Sequence, residues 1–457
     1  MWMCKMFKTI VILCLVVCSV TAELCSNSKK DKKCVCKRTT DSELLFPVTV
    51  ADCSNINLNQ FPINGELDSE LNYLDVSLNN IQVLSAKSRL NNTVLRRINL
   101  SRNQVSNIDG GFFDEVPNLD ALDLSYNNLT SIEPNLLKGL HILHNFDLSY
   151  NNLTKLPWGV LSSAKELFIV DLSYNPLAEF LNFPGTLKEL EITTNLTSIS
   201  LNNVGFTTLI NSFFDGYNKI KHIELADNKM ELIPSLPQSI EFVDLSGNKF
   251  TFVSAAYLNY KSLKVLKLNR MPSLVNIHHY AFFSLRSLKI LYITDCSNLK
   301  EFNELVFGST YHNYDVNPTS IYLARNGLQI INDSYEYFFD VMKNVDLSDN
   351  PWHCNCNILW LQKYNTPNSV LDHQKNLRCS TPDDFSDRSI MSLKDHELPK
   401  CFPEKFVRTH HRVVVSIMIL SMIILLLFIL YLLKYTAKKN SNNVGPNSPY
   451  NIQVTDD

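Results

Sequence analysis

Apolar residues recur along this chain in the frame L-x-x-L-x-L-x-x-N-x-L, with polar residues filling the gaps. The clearest copies are LDALDLSYNNL at 119–129, LHNFDLSYNNL at 143–153 and LFIVDLSYNPL at 167–177, each beginning 24 residues after the last. Stepping back by the same period meets Leu95, Ile98, Leu100 and Asn103, then Leu71, Leu74, Val76 and Asn79. Forward copies follow at Ile220, Ile240, Leu263, Leu288, Pro318 and Met342. Alternation of apolar and polar residues within each copy predicts a short strand with one buried face. A fixed short period predicts stacked coils, which offer one long surface and no enclosed catalytic cleft.

One stretch resists the frame. Leu187, Leu190 and Ile192 fit it, and so do Leu196, Ile199, Leu201 and Phe206 only nine residues later. Nine residues cannot hold a whole coil. The Leu196 frame is preferred because it reaches Ile220 in 24 residues, leaving 178–194 as a long convex excursion.

The repeat resembles that of the leucine-rich repeat family, with about a dozen units in agreement. That resemblance implies an α/β solenoid, a curved horseshoe with strands inside, over 71–350. It also implies that Asn127, Asn151 and Asn175 form a ladder binding the backbone where the chain turns off each strand. Phe112 with Val116, Leu136 with Leu140, and Phe282 with Leu285 resemble the family's convex-side anchors. Cys296 stands at a ladder position, which a cysteine can fill. That favours a buried thiol over an intermolecular bridge.

Residues 1–22 read as a secretory signal peptide, with Lys5 and Lys8 before an apolar run and Val20-Thr21-Ala22 at the cleavage point. A second apolar run, 413–433, carries no charge and is long enough to cross a bilayer. Lys434, Lys438 and Lys439 follow it, which favours a cytoplasmic tail at 434–457. The expectation is a single-pass type I protein of the plasma membrane with its N-terminus outside. Its tail is too short for a folded signalling domain.

Nine cysteines follow the signal segment, and eight bracket the repeats. Cys25, Cys34, Cys36 and Cys53 lie in an N-terminal cap, 23–70. Cys354, Cys356, Cys379 and Cys401 lie in a C-terminal cap, 351–402, with a juxtamembrane linker at 403–412. Solenoids need caps because their end coils expose an apolar face. The run Asn350-Pro351-Trp352-His353-Cys354-Asn355-Cys356 resembles the C-terminal flank of extracellular leucine-rich repeat proteins. Resemblance implies the pairs Cys354–Cys379 and Cys356–Cys401, and at the other end Cys25–Cys36 and Cys34–Cys53. Zinc held by cysteines beside His353 is the competing reading, and an oxidising compartment favours disulfides.

Variable positions between the leucines would line the concave face. One column reads Asp75, Asn99, Asp123, Asp147, Asp171, Glu224 and Asp244, then turns to Lys267, Tyr292 and Tyr322. Beside it run Arg102, Tyr126, Tyr150 and Tyr174. Asp123, Asp147, Asp171, Tyr126, Tyr150 and Tyr174 are the candidate partner-binding residues, suited to a basic protein or peptide. Asp and Tyr are also common at these positions whatever the ligand. Lys264, Lys267 and Arg270 reverse the charge further along. Six sequons, Asn91, Asn99, Asn128, Asn152, Asn195 and Asn332, make glycosylation an expectation, and a glycan on Asn99 would obstruct the concave face.

Net charge of −3 argues against nucleic acid as the main partner. No phosphate loop or nucleophile elbow occurs, so neither enzyme, cofactor nor metal is expected. His278-His279 and His410-His411 lack carboxylates at metal-site spacing, and Pro449-Tyr450-Asn451-Ile452 is a short linear motif in the tail. The whole layout resembles arthropod cell-surface leucine-rich repeat proteins, including adhesion molecules such as connectin and the Toll receptor ectodomain without its cytoplasmic domain. It implies recognition of an extracellular protein ligand or cell-surface receptor, in adhesion or as a co-receptor, with homo- or heterodimers foreseen. The alternative is a regulatory or decoy receptor acting through a longer one.

Overall fold

The computed structural model describes residues 25–26, 34–40, 47–61, 70–88, 90–308, 316, 318–366, 370–398 and the helix 404–441, whose side chains it places from 415 to 434. The expected signal peptide, the tail after 441 and Cys401 lie outside the described residues. The chain divides into two units, residues 1–393 and 394–457.

The first unit is built on one 16-stranded sheet whose spatial order is its sequence order. Strands β1 (Cys25–Ser26), β2 (Cys34–Thr40) and β3 (Pro47–Asp52) open it, with β2 and β3 antiparallel. Thirteen parallel strands follow, from β4 (Leu71–Asp75) to β16 (Leu371–Asp372). In order they include β5 (Arg97–Asn99), β6 (Ala121–Asp123), β7 (Asn145–Asp147), β8 (Ile169–Asp171), β9 (Ser198–Ser200), β10 (His222–Glu224), β11 (Phe242–Asp244), β12 (Val265–Lys267), β13 (Ile290–Tyr292), β14 (Ser320–Tyr322) and β15 (Asn344–Asp346). Because the repeat fixes the register, equivalent residues pair: Leu122 with Phe146, Phe146 with Val170, Val170 with Ile199. The sheet runs past 350, since Val345 pairs with Leu371 inside the segment expected as a cap.

The middle residue of each short strand points inward and is sealed from water, as are the leucines flanking it. The convex anchors Phe112, Val116, Leu136, Leu140, Phe282 and Leu285 close the other side of this core. The ladder is present. Asn151 donates through Nδ2 to the carbonyls of Leu124, Leu148 and Ser149 at 3.0, 3.0 and 3.2 Å, and its Oδ1 accepts from Leu129 N at 3.0 Å. Asn79, Asn103, Asn127, Asn175, Asn228, Asn248 and Asn350 bond in the same way. Each amide thus ties its own coil to the one before, satisfying groups that would otherwise be stranded in an irregular turn.

The difficult stretch resolves in the Leu196 frame, because β9 pairs with both β8 and β10. The long excursion folds as two one-turn helices, α1 (Ala178–Leu181) and α2 (Thr186–Glu189). Its coil has Val204 at the ladder position, so Leu177 N turns to the Asn175 carbonyl at 2.8 Å and Ala178 N to Val204 O at 3.1 Å.

Cys296 is a free, fully buried thiol at its ladder position. Its Sγ lies 3.4 Å from the Leu268 and Thr294 carbonyls, while its N–H donates to Asn326 Oδ1 at 2.7 Å. Burial pushes the thiol up to about 11. It is therefore expected to stay inert to a thiol reagent in the native protein at neutral pH and to react stoichiometrically in denaturant; prompt native labelling would contradict the burial.

Disulfides Cys34–Cys53 and Cys354–Cys379 close the two ends, as the flank resemblance implies. Cys36 and Cys356 are also disulfide-bonded; the side chains of their expected partners, Cys25 and Cys401, lie outside the described residues. In the second unit, α3 (Glu404–Ser441) contains the segment Val415–Lys434, long and apolar enough to cross a membrane and with every described side chain exposed.

Candidate partner-binding face

The residue just before each ladder position takes a left-handed backbone conformation: Leu78, Arg102, Tyr126, Tyr150, Tyr174, Asn203, Asp227, Arg270, Asp295, Arg325 and Asp349 all have φ between 48° and 57°, or 60° for Asp295. That geometry costs a side-chain-bearing residue about 1–2 kcal/mol, and the ladder bonds beside it hold it in place. It also throws the side chain out along one edge of the concave sheet.

On that edge the three expected tyrosines come together. Tyr126 stacks on Tyr150 with ring centroids 3.9 Å apart, and Tyr150 on Tyr174 at 4.0 Å. The Arg102 guanidinium covers the outer face of Tyr126 at 4.3 Å. At the other end Tyr174 donates its hydroxyl to Asp227 at 3.3 Å, and Asp227 pairs with Arg270 at 3.1 Å. Ring faces are spent on one another, so hydroxyls and ring edges meet solvent; Tyr126 and Tyr150 remain 37% and 36% exposed.

The carboxylate column lies on the strands themselves, aligned by pairing: Asp75 with Asn99, Asn99 with Asp123, Asp123 with Asp147, Asp147 with Asp171. Each of these side chains has a second task that the sequence did not announce. Asp123 Oδ1 accepts from Ser125 N at 2.9 Å, Asp147 from Ser149 N and Asp171 from Ser173 N at 2.8 Å. Asn99 does the same for Ser101 N at 3.0 Å. The D-x-S spacing is the legible signal of this local turn. Burial pushes Asp147 up to about 6, and the neighbouring Asp171 and Asp123 carboxylates push the same way. Burial likewise raises Asp171.

Further along, the reversal of charge is muted by pairing. Lys264 and Lys221 both grip Glu241, at 2.6 and 3.0 Å, and Lys267 lies 3.5 Å from Asp244 and 4.9 Å above the Phe242 ring. Sequence reasoning passed over His222, which stacks on Phe242 at 3.9 Å and bonds Glu224 at 3.1 Å. Tyr292 stacks on Tyr322 at 4.6 Å. Among the described residues no group of histidines, cysteines and carboxylates could hold a metal ion. His278 stacks on Phe252 at 5.0 Å.

Comparison with known proteins agrees with this geometry. A leucine rich repeat family model matches residues 69–129 and 117–177, and a BspA type leucine rich repeat model matches 188–313, together about half of the chain. No curated protein matches the sequence. The fold is similar to a chain in the mouse RP105/MD-1 complex, with 21% identity and a TM-score of 0.55, over 73% of this chain and 55% of that one. A chain of the Drosophila Toll–Spatzle complex is matched at 18% identity and a TM-score of 0.45, over 73% and 57%. A chain of a complex of Latrophilin 3, Unc5D and FLRT2 is matched at 16% identity and 0.46, over 78% and 97%. This chain thus spans little more than half of the first two.

Proposed function

Because the chain belongs to the leucine-rich repeat family, we propose that it is a cell-surface recognition molecule that binds an extracellular protein through the concave face of its N-terminal coils. The carrying observation is the in-register column Asp75, Asp123, Asp147 and Asp171, bordered by the tyrosine stack. Carboxylates at strand spacing repel one another, and a lysine- or arginine-rich segment laid across them relieves that repulsion. The exposed tyrosine edges add amphipathic contact area beside it. Solved chains of this fold occur in complexes with protein partners, which favours a protein ligand over a small molecule. The apolar helix Val415–Lys434 serves as membrane anchor, placing the coils outside the cell, in adhesion or as a ligand-binding co-receptor.

The test is a screen of cells displaying the full chain against secreted and surface proteins, repeated with the triple variant D123S/D147S/D171S. Serine keeps an oxygen for the turn bond while removing three charges, and it avoids the N-L-S sequons that asparagine would create before Ser125, Ser149 and Ser173. Parent and variant both carry Asn145→Gln, because serine at 147 would otherwise complete a sequon at Asn145. Binding is expected to fall at least about tenfold, with the loss shrinking at high salt. A triple variant that binds like the parent would reject this face. Aggregation of displaying cells would assign the protein to adhesion; co-purification of a longer receptor without aggregation would assign it a regulatory role instead.

A further inference from the structure

The position immediately after each ladder residue faces outward on the tyrosine edge, and along the coils it reads Asn80, Gln104, Asn128, Asn152, Pro176, Gly205 and Lys229. Two of these, Asn128 and Asn152, are sequon asparagines in the same N-L-T string. In both, the asparagine and the threonine are exposed and the leucine between them is buried. They differ in what comes next. Beyond Asn152 come Pro176 and then Gly205, from a coil with Val204 in place of the ladder asparagine, and there the surface sinks into a groove. It runs from Tyr126 and Asn127 past Asn152, Tyr174, Pro176 and Gly205 to Lys229, so Asn152 lies within it, while Asn128 is not among its walls.

We infer that Asn152 carries an N-linked glycan whose core sugars lie in this groove. The chemistry matches on both sides. A pyranose presents C–H faces, which suit the Pro176 ring and the Tyr174 edge, and hydroxyl and acetamido groups, which suit Asn203 and Lys229 at the rim. Because the occupant is tethered within the groove itself, it arrives at high effective concentration and loses little freedom on docking. A glycan running from Asn152 toward Lys229 covers the edge from Tyr174 onward and leaves Tyr126 and the carboxylate column to the partner. This rests on the reading that the coils are extracellular.

The full chain should be expressed in cells that add only high-mannose glycans. Natively folded and denatured samples are then trimmed with endoglycosidase H, and each site is followed by glycopeptide mass spectrometry. Asn128 and Asn152 are both expected to be occupied, with native trimming several-fold slower at Asn152 and equal rates after denaturation. Filling the groove from an exposed position, with Pro176→Arg, should bring Asn152 up to the Asn128 rate. Equal native rates, or an unmodified Asn152 beside an occupied Asn128, would overturn this inference alone. Glycan at none of the sequons would overturn both it and the extracellular reading.

Discussion

Asn248→Ala is expected to destabilise the solenoid by about 3 kcal/mol, read as a fall in the urea midpoint with little change in slope. Asn248 is completely buried. Its Nδ2 donates to the carbonyls of Leu225, Leu245 and Ser246 at 3.0, 2.9 and 3.4 Å, and its Oδ1 accepts from Met230 N at 3.1 Å. Truncation to alanine leaves these backbone groups in a cavity with no replacement, and an unsatisfied buried N–H or C=O alone costs about 1–3 kcal/mol. Neighbouring groups cannot rotate to help, because the turn is pinned from both sides by its coils. The chain supplies its own comparison at Val204. There the ladder is interrupted without loss because an excursion of extra residues lets Leu177 N and Ala178 N find other carbonyls. The coil from β10 to β11 has no such slack, since Ile223 meets Val243 after only 20 residues. A midpoint equal to that of Lys249→Ala, an exposed neighbour, would show that the ladder carries no net stability.

What the sequence disclosed follows from where its information is redundant. The core leucines recur in coil after coil, so strand positions, register and ladder asparagines were legible from period alone. The Leu196 frame was the hard case because Val204 breaks the pattern there. Only the pairing of Ile199 with both Val170 and Ile223 decides it. The candidate site was legible as columns of residue types and no further. Nothing in a single copy of LDLSYNNL states that its tyrosine sits at positive φ, which is what turns three tyrosines into one stack. Nor does a column of aspartates reveal how much of it is scaffold. Asp147 looks like a free surface charge in the sequence, yet one oxygen of its carboxylate is committed to Ser149 N. His222 was invisible for a related reason: its significance comes from Phe242, twenty residues on and one strand across.

The same D123S/D147S/D171S protein that loses its partner is expected to be more stable than the parent at neutral pH, by about 1 kcal/mol after allowing for solvent screening of half-exposed groups. Burial and two flanking carboxylates disfavour the charge of Asp147 and push it up to about 6 in the folded chain, from an ordinary aspartate value of 3.8. Between those values the native state binds more protons than the unfolded one, so stability must fall as pH rises from about 4 to 6. Above pH 6 the penalty is fully developed, and Asp171, raised by burial, adds to it in the same direction. Serine removes the titration and keeps an oxygen for the turn bond. The variant's stability should therefore be flatter across this window, and the gap between the two proteins should close toward pH 4. Urea midpoints at pH 4.5, 6 and 7.5 measure this directly. A gap that is constant with pH, or a variant weaker than the parent at pH 7.5, would show that ionising the column costs the native state nothing. Stability forgone at neutral pH is what a surface selected for binding is expected to display. A basic partner restores the lost interaction on contact, so affinity should weaken over the same pH interval in which the unbound protein gains stability.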